Sequence, residues 1–257
     1  MLMHRLTLLL AALGLALPLR AAPPPLIEEA IGKMAVNFDH WAYTETIVEK
    51  NGKGKMLSET VVRFDPSRPF ADQFTVLSVD GKSPTLAQQK KWHKTGEQRA
   101  GRIQDAENEG VTTPHKTIGE LMDIERATPV SEDAATVVFE VPLKSDGSSG
   151  LPPDKFRLFV SIDKSQHTFA RLDGKLRKPF RTDLIFKVRA GEGHIVFSQV
   201  DPLYPPVITS ISGNGNGTVF FVPLGRSYEL HRTEFHRVKP YSDRFRVKMG
   251  PLKTIDF

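Results

Sequence analysis

The 257-residue chain contains no cysteine and only two tryptophans and four tyrosines. Without cysteine there is no disulfide, no thiol nucleophile, no thiolate zinc site and no acylated cysteine of a lipoprotein. Charge of one sign is also lacking. Thirty-five basic side chains face 30 acidic ones, a formal net charge of +5. So mild an excess argues against nucleic acid as a partner. No His-Glu-x-x-His, no Gly-x-Ser-x-Gly elbow and no phosphate-binding glycine loop occurs. The glycines of "SISGNGNG" are not followed by a helix that would supply amide donors. No metal, cofactor or catalytic residue is expected.

The one extended apolar run, Leu6 to Leu17, follows His4 and Arg5 and ends at "PLRAAPPP". It is too short for a comfortable membrane span and reads as a secretory signal, residues 1–22, cut near Ala21 or Ala22. Export is expected. Removal of Arg5 and Arg20 takes the formal charge to +3, and leaves about 235 residues as one domain, 23–257. An exported chain of that length without disulfides must fold on its core alone.

After Pro23-Pro24-Pro25, the apolar positions Leu26, Ile27, Ala30, Ile31, Met34 and Phe38 recur at helical spacing. A second, mostly solvated helix is expected after Ser83, carrying Leu86, Trp92 and Ile103, and "TIGELMD" reads as one short apolar turn. The rest reads as strands. "WAYTETIVEKNGKGKMLSETVVRF" is a hairpin about Asn51-Gly52-Lys53-Gly54. In "KFRLFVSID", Phe156, Leu158, Val160 and Ile162 share a face. Turns are expected at Asp173-Gly174, at Gly191-Glu192-Gly193 and across Gly213 to Gly217, each bracketed by strands. "RFRVKMG" alternates Phe245, Val247 and Met249 with Arg244, Arg246 and Lys248, and is expected to be a last strand. Successive strands with short turns make a meander. The fold class is mainly β with α: a large curved antiparallel sheet with helices against one face.

A signal peptide, an amphipathic helix, a long antiparallel meander and a short helix before further strands resemble the LolA/LolB-like superfamily. "RFDPSRPF" loosely resembles the strand-ending Arg and Pro residues of its lipoprotein carriers. That group holds outer-membrane lipoprotein-sorting proteins, mycobacterial lipid carriers and regulators of the RseB type. The resemblance implies a periplasmic location and an open or half β-barrel around helices, with an apolar cavity for acyl chains.

Candidate residues follow. Trp41, Tyr43, Phe156, Phe186, Phe197 and Phe221 are core-like aromatics; they either fill the interior or line a hollow for a lipid or lipoprotein acyl chain. Lys175, Arg177, Lys178 and Arg181 around one turn, with Arg244, Arg246 and Lys248, are either a solvated rim or a site for anionic headgroups or an acidic partner, so peripheral membrane contact is compatible with them. Asp65 and Asp72 flank Arg68 in "FDPSRPFADQF", which reads as a rigid corner sooner than a paired-carboxylate site. His231 and His236, five apart, are expected on opposite faces of a strand. Three functions remain open: a non-enzymatic lipid carrier, an RseB-like module for an envelope partner protein, and a carboxylate or histidine hydrolase.

Overall fold

Proline fixes where the first helix begins. Pro25 occupies its first turn, where an amide hydrogen would have no partner, and α1 runs Pro25–Ala35 with Glu28 in the first turn and Lys33 in the last. The computed structural model describes residues 24–35, 40–108, 118–146, 152–181, 186–219, 222–241 and 243. The signal segment, Phe38, Phe221, Arg244, Arg246, Lys248 and the "RFRVKMG" strand therefore lie outside the described residues.

Eleven strands form one sheet: β1 (Trp41–Asn51), β2 (Met56–Phe64), β3 (Phe74–Val79), β4 (Thr128–Glu132), β5 (Thr136–Val141), β6 (Phe156–Asp163), β7 (Thr168–Leu176), β8 (Phe180–Arg181), β9 (Phe186–Ser198), β10 (Val207–Val219) and β11 (Val222–Arg237). Their order is β3-β2-β1-β11-β10-β9-β7-β6-β5-β4, with β8 also on β9, and every pairing is antiparallel. The meander holds except for one long crossing, because β3 and β4 are the two open edges. Among the described residues the other α-helices are α2 (Leu86–Asn108) and the single turn α3 (Ile118–Leu121). Thr85 starts α2 with a reciprocal cap. Its amide donates to Gln88 Oε1 at 2.8 Å, and the Gln88 amide donates to Thr85 Oγ1 at 3.3 Å.

Between β2 and β3 the chain turns a rigid corner. Asp65 Oδ1 accepts from the Ser67 amide at 3.0 Å, a 3-10 turn spans Phe70–Asp72, and Asp80 and Gly81 take φ of 52° and 71° in the next turn. Buried Gln73 braces the corner, donating to Pro66 O and Arg68 O and accepting from Arg99. Gly96 of α2 lies so close that a Cβ there would stand 2.1 Å from Phe70 O. Only glycine lets the helix seat on this corner.

Register places one continuous face toward the helices. It carries Trp41 and Tyr43 of β1, Phe64 of β2, Phe74 of β3, Phe235 of β11, Ile195 of β9, Val160 and Ile162 of β6 and Phe139 of β5. α1 packs on β6 and β7, so Ile27 and Ala30 join Val160, Ile162, Phe169 and Met122 in the buried core.

Three expected turns are strand instead. Asp173-Gly174 lies inside β7, Gly191 to Gly193 inside β9, and Gly213 to Gly217 inside β10. Pairing explains it. Gly174 stands opposite Gly193, and Gly193 opposite Gly213, so neighbouring strands supply hydrogen bonds that an isolated segment lacks. The histidine expectation is corrected as well. A bulge at Glu234 (φ 53°) makes three steps of β11 span two of β1, which puts His231 and His236 on one face. They stand opposite Thr46 and Ala42, four β1 residues apart, roughly 13 Å. They form no joint site.

Candidate functional site

The helix-facing side is covered unequally. One flank is closed by α1, the other by aromatic rings and α2. Trp41, 3% exposed, meets Tyr204 at 5.7 Å and Phe235 at 6.2 Å between ring centroids, with the Arg237 guanidinium over both Trp41 and Tyr204. Tyr43 packs between Phe64 and Phe235 under Arg232. Phe197, 7% exposed, stacks on Phe169 at 5.6 Å. Phe156 is half-buried edge-on to Phe180 at 5.8 Å. The structure sets Trp41 among other side chains, whereas Phe197, also buried, borders two small cavities beside Met34, Pro205 and Pro206. The Phe186 side chain lies outside the described residues.

Open space lies between the two flanks. A groove of about 370 Å³ is lined by Val188, Gly213, Gly215, Gly217, Arg226 and Tyr228, among others. Register puts Gly174, Gly191, Gly193, Gly213, Gly215 and Gly217 on the helix-facing side, and of these Gly213, Gly215 and Gly217 line the groove, so its floor is bare backbone. Tyr228 stands opposite Gly213 and Arg226 opposite Gly215, forming one wall, with Val188 across from Gly217.

Backbone geometry does not demand most of these glycines. Among the described glycines only Gly54 and Gly81 have positive φ. A Cβ on Gly193, Gly213 or Gly215 would meet its nearest backbone oxygen at 3.6, 3.4 or 3.8 Å, ordinary contact. Gly217 differs, since its Cβ would fall 2.3 Å from Lys187 O. Glycine inside a strand costs conformational entropy and forfeits side-chain packing. At positions 213 and 215 that cost has one visible return, an unfilled floor.

The groove's polar groups sit on its wall. Arg226 lies 3.4 Å from Glu49, and Arg232 and Glu45 form a half-buried pair at 2.9 Å. Burial pushes the Tyr228 hydroxyl above the ordinary tyrosine range, and the nearby Glu45 carboxylate adds to this.

Polar clusters elsewhere do not converge on a reaction. His93 is shared between Asp72 at 3.9 Å and Glu97 at 3.6 Å beside an open, polar groove of about 1020 Å³ along β3 and α2. Arg68 donates to Thr75, while Asp65 is held by Ser67, so the two expected carboxylates do not meet. On the outer face Asp173 is bound by Arg171 and His194, and at the β6–β7 turn His167 is bound by Glu29 of α1. Among the described residues no group of three His, Asp or Glu side chains is placed to hold a metal ion.

Lys175, Arg177, Lys178 and Arg181 surround the β7–β8 connection, exposed, at the end of the sheet where the groove opens. Sequence reasoning missed the groove because it read each glycine cluster as a turn. The available signal was spacing: Gly191-x-Gly193 and Gly213-x-Gly215-x-Gly217 keep period two, which a strand imposes and a turn does not.

No family model matches the chain, and no curated protein matches it. Among solved structures it is similar to the LolA superfamily protein NE2245 from Nitrosomonas europaea, at 10% identity and a TM-score of 0.37, over 89% of this chain and 99% of that one. It is also similar to MucB in complex with MucA(peri), at 9% identity and a TM-score of 0.21, over 83% and 99%. A third likeness is the MucA/MucB complex of Pseudomonas aeruginosa, at 10% identity and 0.18. At these scores the likeness says nothing of what this chain binds. Among the described residues no helix is long and apolar enough to cross a membrane.

Proposed function

We propose that this chain is an exported, non-enzymatic binding protein that holds the acyl chain of a lipid or lipoprotein against the glycine floor of its sheet. The observation that carries the reading is that Gly213 and Gly215 line the groove where neither φ nor crowding requires glycine. The volume of about 370 Å³ is within the range of roughly 300–1,000 Å³ usual for small-ligand sites. An extended alkyl chain suits a narrow trough of backbone Cα atoms, because dispersion contact needs close approach and no directional partner. Each buried methylene contributes ~0.8 kcal/mol, so about ten correspond to roughly 8 kcal/mol, the micromolar range before the cost of association is subtracted. Arg226 and Tyr228 on the wall would meet the ester or headgroup end.

Native mass spectrometry of protein purified from the envelope tests this, followed by denaturing extraction of whatever travels with it. The expected result is a species of lipid mass that is absent from Gly215→Val. That variant fills the floor and keeps the fold, because its Cβ has room and valine suits a strand. Clean protein that also ignores added phospholipid overturns the carrier reading, and leaves the interaction module for an envelope partner as its replacement.

A further inference from the structure

Beside the groove mouth, cation meets cation. In the β8–β9 pairing Arg181 stands directly opposite Lys187, a like-charge cross-strand pair, which is destabilising wherever no anion lies between. Lys175, Arg177 and Lys178 lead into that pair along the chain, and Arg189 follows it on β9. All but half-buried Lys187 are exposed, and among the described residues none of these six side chains has an ion-pair or hydrogen-bond partner.

The described acids nearby are already engaged. Arg157 Nε donates to Glu140 at 2.7 Å, Lys155 holds Asp154, and Glu192, though opposite Lys175, accepts from Asn214 at 2.9 Å. Arg177 and Lys178 lie near enough to Glu140 and Asp154 to help lower those carboxyls, so among the described residues Arg181, half-buried Lys187 and Arg189 are the cations that pair with no acid. A fold that needed only solubility would set an acid across from Arg181 or Lys187, as it does elsewhere on the same outer face at Asp173–Arg171 and Lys50–Glu229.

Position narrows the partner. The register Asn51–Arg226–Gly215–Gly191 brings the β1–β2 hairpin, the groove and the basic corner to the same end of the sheet. That hairpin leaves Met56 53% and Leu57 46% exposed. Cations spread along strand ends, with no concave pocket among them, do not fix one phosphate in a set geometry. A fluid anionic bilayer supplies phosphates wherever the side chains lie, and exposed apolar side chains at the same end favour its interface.

We infer that the β7–β8–β9 corner, with Arg181 and Lys187 at its centre, docks the groove-bearing end of the sheet onto an anionic phospholipid surface. The inference rests on the acyl-binding reading for its purpose, since docking sets the groove mouth at the source of its ligand. The docking itself is a separate physical property.

The experiment is vesicle co-sedimentation of protein purified from the envelope. Vesicles of phosphatidylcholine alone are compared with vesicles containing about one-third phosphatidylglycerol, at low and high salt. Sedimentation is expected with the anionic vesicles only, and is expected to be lost at high salt. Arg181→Gln with Lys187→Gln should weaken it at least about tenfold, while the thermal midpoint holds or rises because a repulsion is removed. Gly215→Val, which closes the groove, should still sediment, so failure of the acyl reading and of docking are told apart. Equal sedimentation with both vesicle types overturns the inference. So does an equal loss from Arg68→Gln with Lys239→Gln at the opposite end, which would mark a response to net charge alone. Protein that ignores the vesicles overturns it too, and turns the corner toward an acidic protein partner.

Discussion

In the half of the sheet built on β5, β6 and β7, α1 presses aliphatic side chains into a closed interior, where Ile27, Val141, Val160 and Ile162 have no exposure. In the half built on β1, β2, β3 and β11, the covering helix is α2, which presents few apolar side chains. That half is held by ring contacts from Trp41 through Phe235, Tyr43, Phe64 and Phe74 to Trp92, with Arg99 over Phe64 and Arg232 over Tyr43. A polar helix can cover an apolar sheet if large rings stand up from the sheet to meet it. Between the halves the glycines give neither kind of cover. Among the described residues the contrast leaves a groove in the middle, where both kinds of packing stop, in addition to the polar one along β3 and α2.

Truncating the aliphatic half should show the largest effect. Ile162→Ala removes buried volume where neighbours are already close-packed, and is expected to cost about 2–5 kcal/mol in urea unfolding. A loss below about 1 kcal/mol would mean that this half is looser than its burial implies.

Gly96→Ala probes the other half. Its methyl would meet the Phe70 carbonyl, so α2 must shift off the corner, at about 1–3 kcal/mol. Hydrogen exchange should speed up in α2 and β3 while β5 to β7 stay protected. Uniform loss of protection would show that the two halves do not open separately.

The smallest effect is a pH dependence confined to the aliphatic half's outer face. Hydrogen bonds from Arg157 hold the Glu140 carboxyl below its ordinary value of 4.5, against a smaller opposing effect of burial. Its contribution is therefore complete above pH 4.5 and fades as pH falls through the lowered folded value. Solvent screening limits the pair to at most about 1 kcal/mol. Glu140→Gln should lower stability at neutral pH by that order and flatten the acid limb of a thermal-midpoint titration. An unchanged limb would assign the dependence to other carboxylates, such as Asp163, whose carboxyl Ser165 and the Gln166 amide also hold low.

The chain's own chemistry determined much of this molecule. Pro25 and the apolar spacing of Leu26 to Met34 set α1; Asn51 and Gly54 set the first hairpin; Asp65, Pro66 and Asp80-Gly81 set the corner and the turn around β3. Alternation marked the buried side of β6, and the antiparallel, mainly β class followed from these local patterns. Such features act through neighbours in sequence, so they are legible there. Other features depended on which strands became neighbours in space. Asp173-Gly174, Gly191-x-Gly193 and Gly213-x-Gly215 have weak local preference for a strand, and only cross-strand hydrogen bonds hold them extended. The same pairing set Arg181 against Lys187, and the bulge at Glu234 turned His236 to the side of His231. Whether an aromatic such as Trp41 fills space or lines it was likewise decided by Tyr204, Phe235 and Arg237, which are distant along the chain. The groove is surface that no described residue covers, a property of the assembled sheet and its helices that no single segment carries.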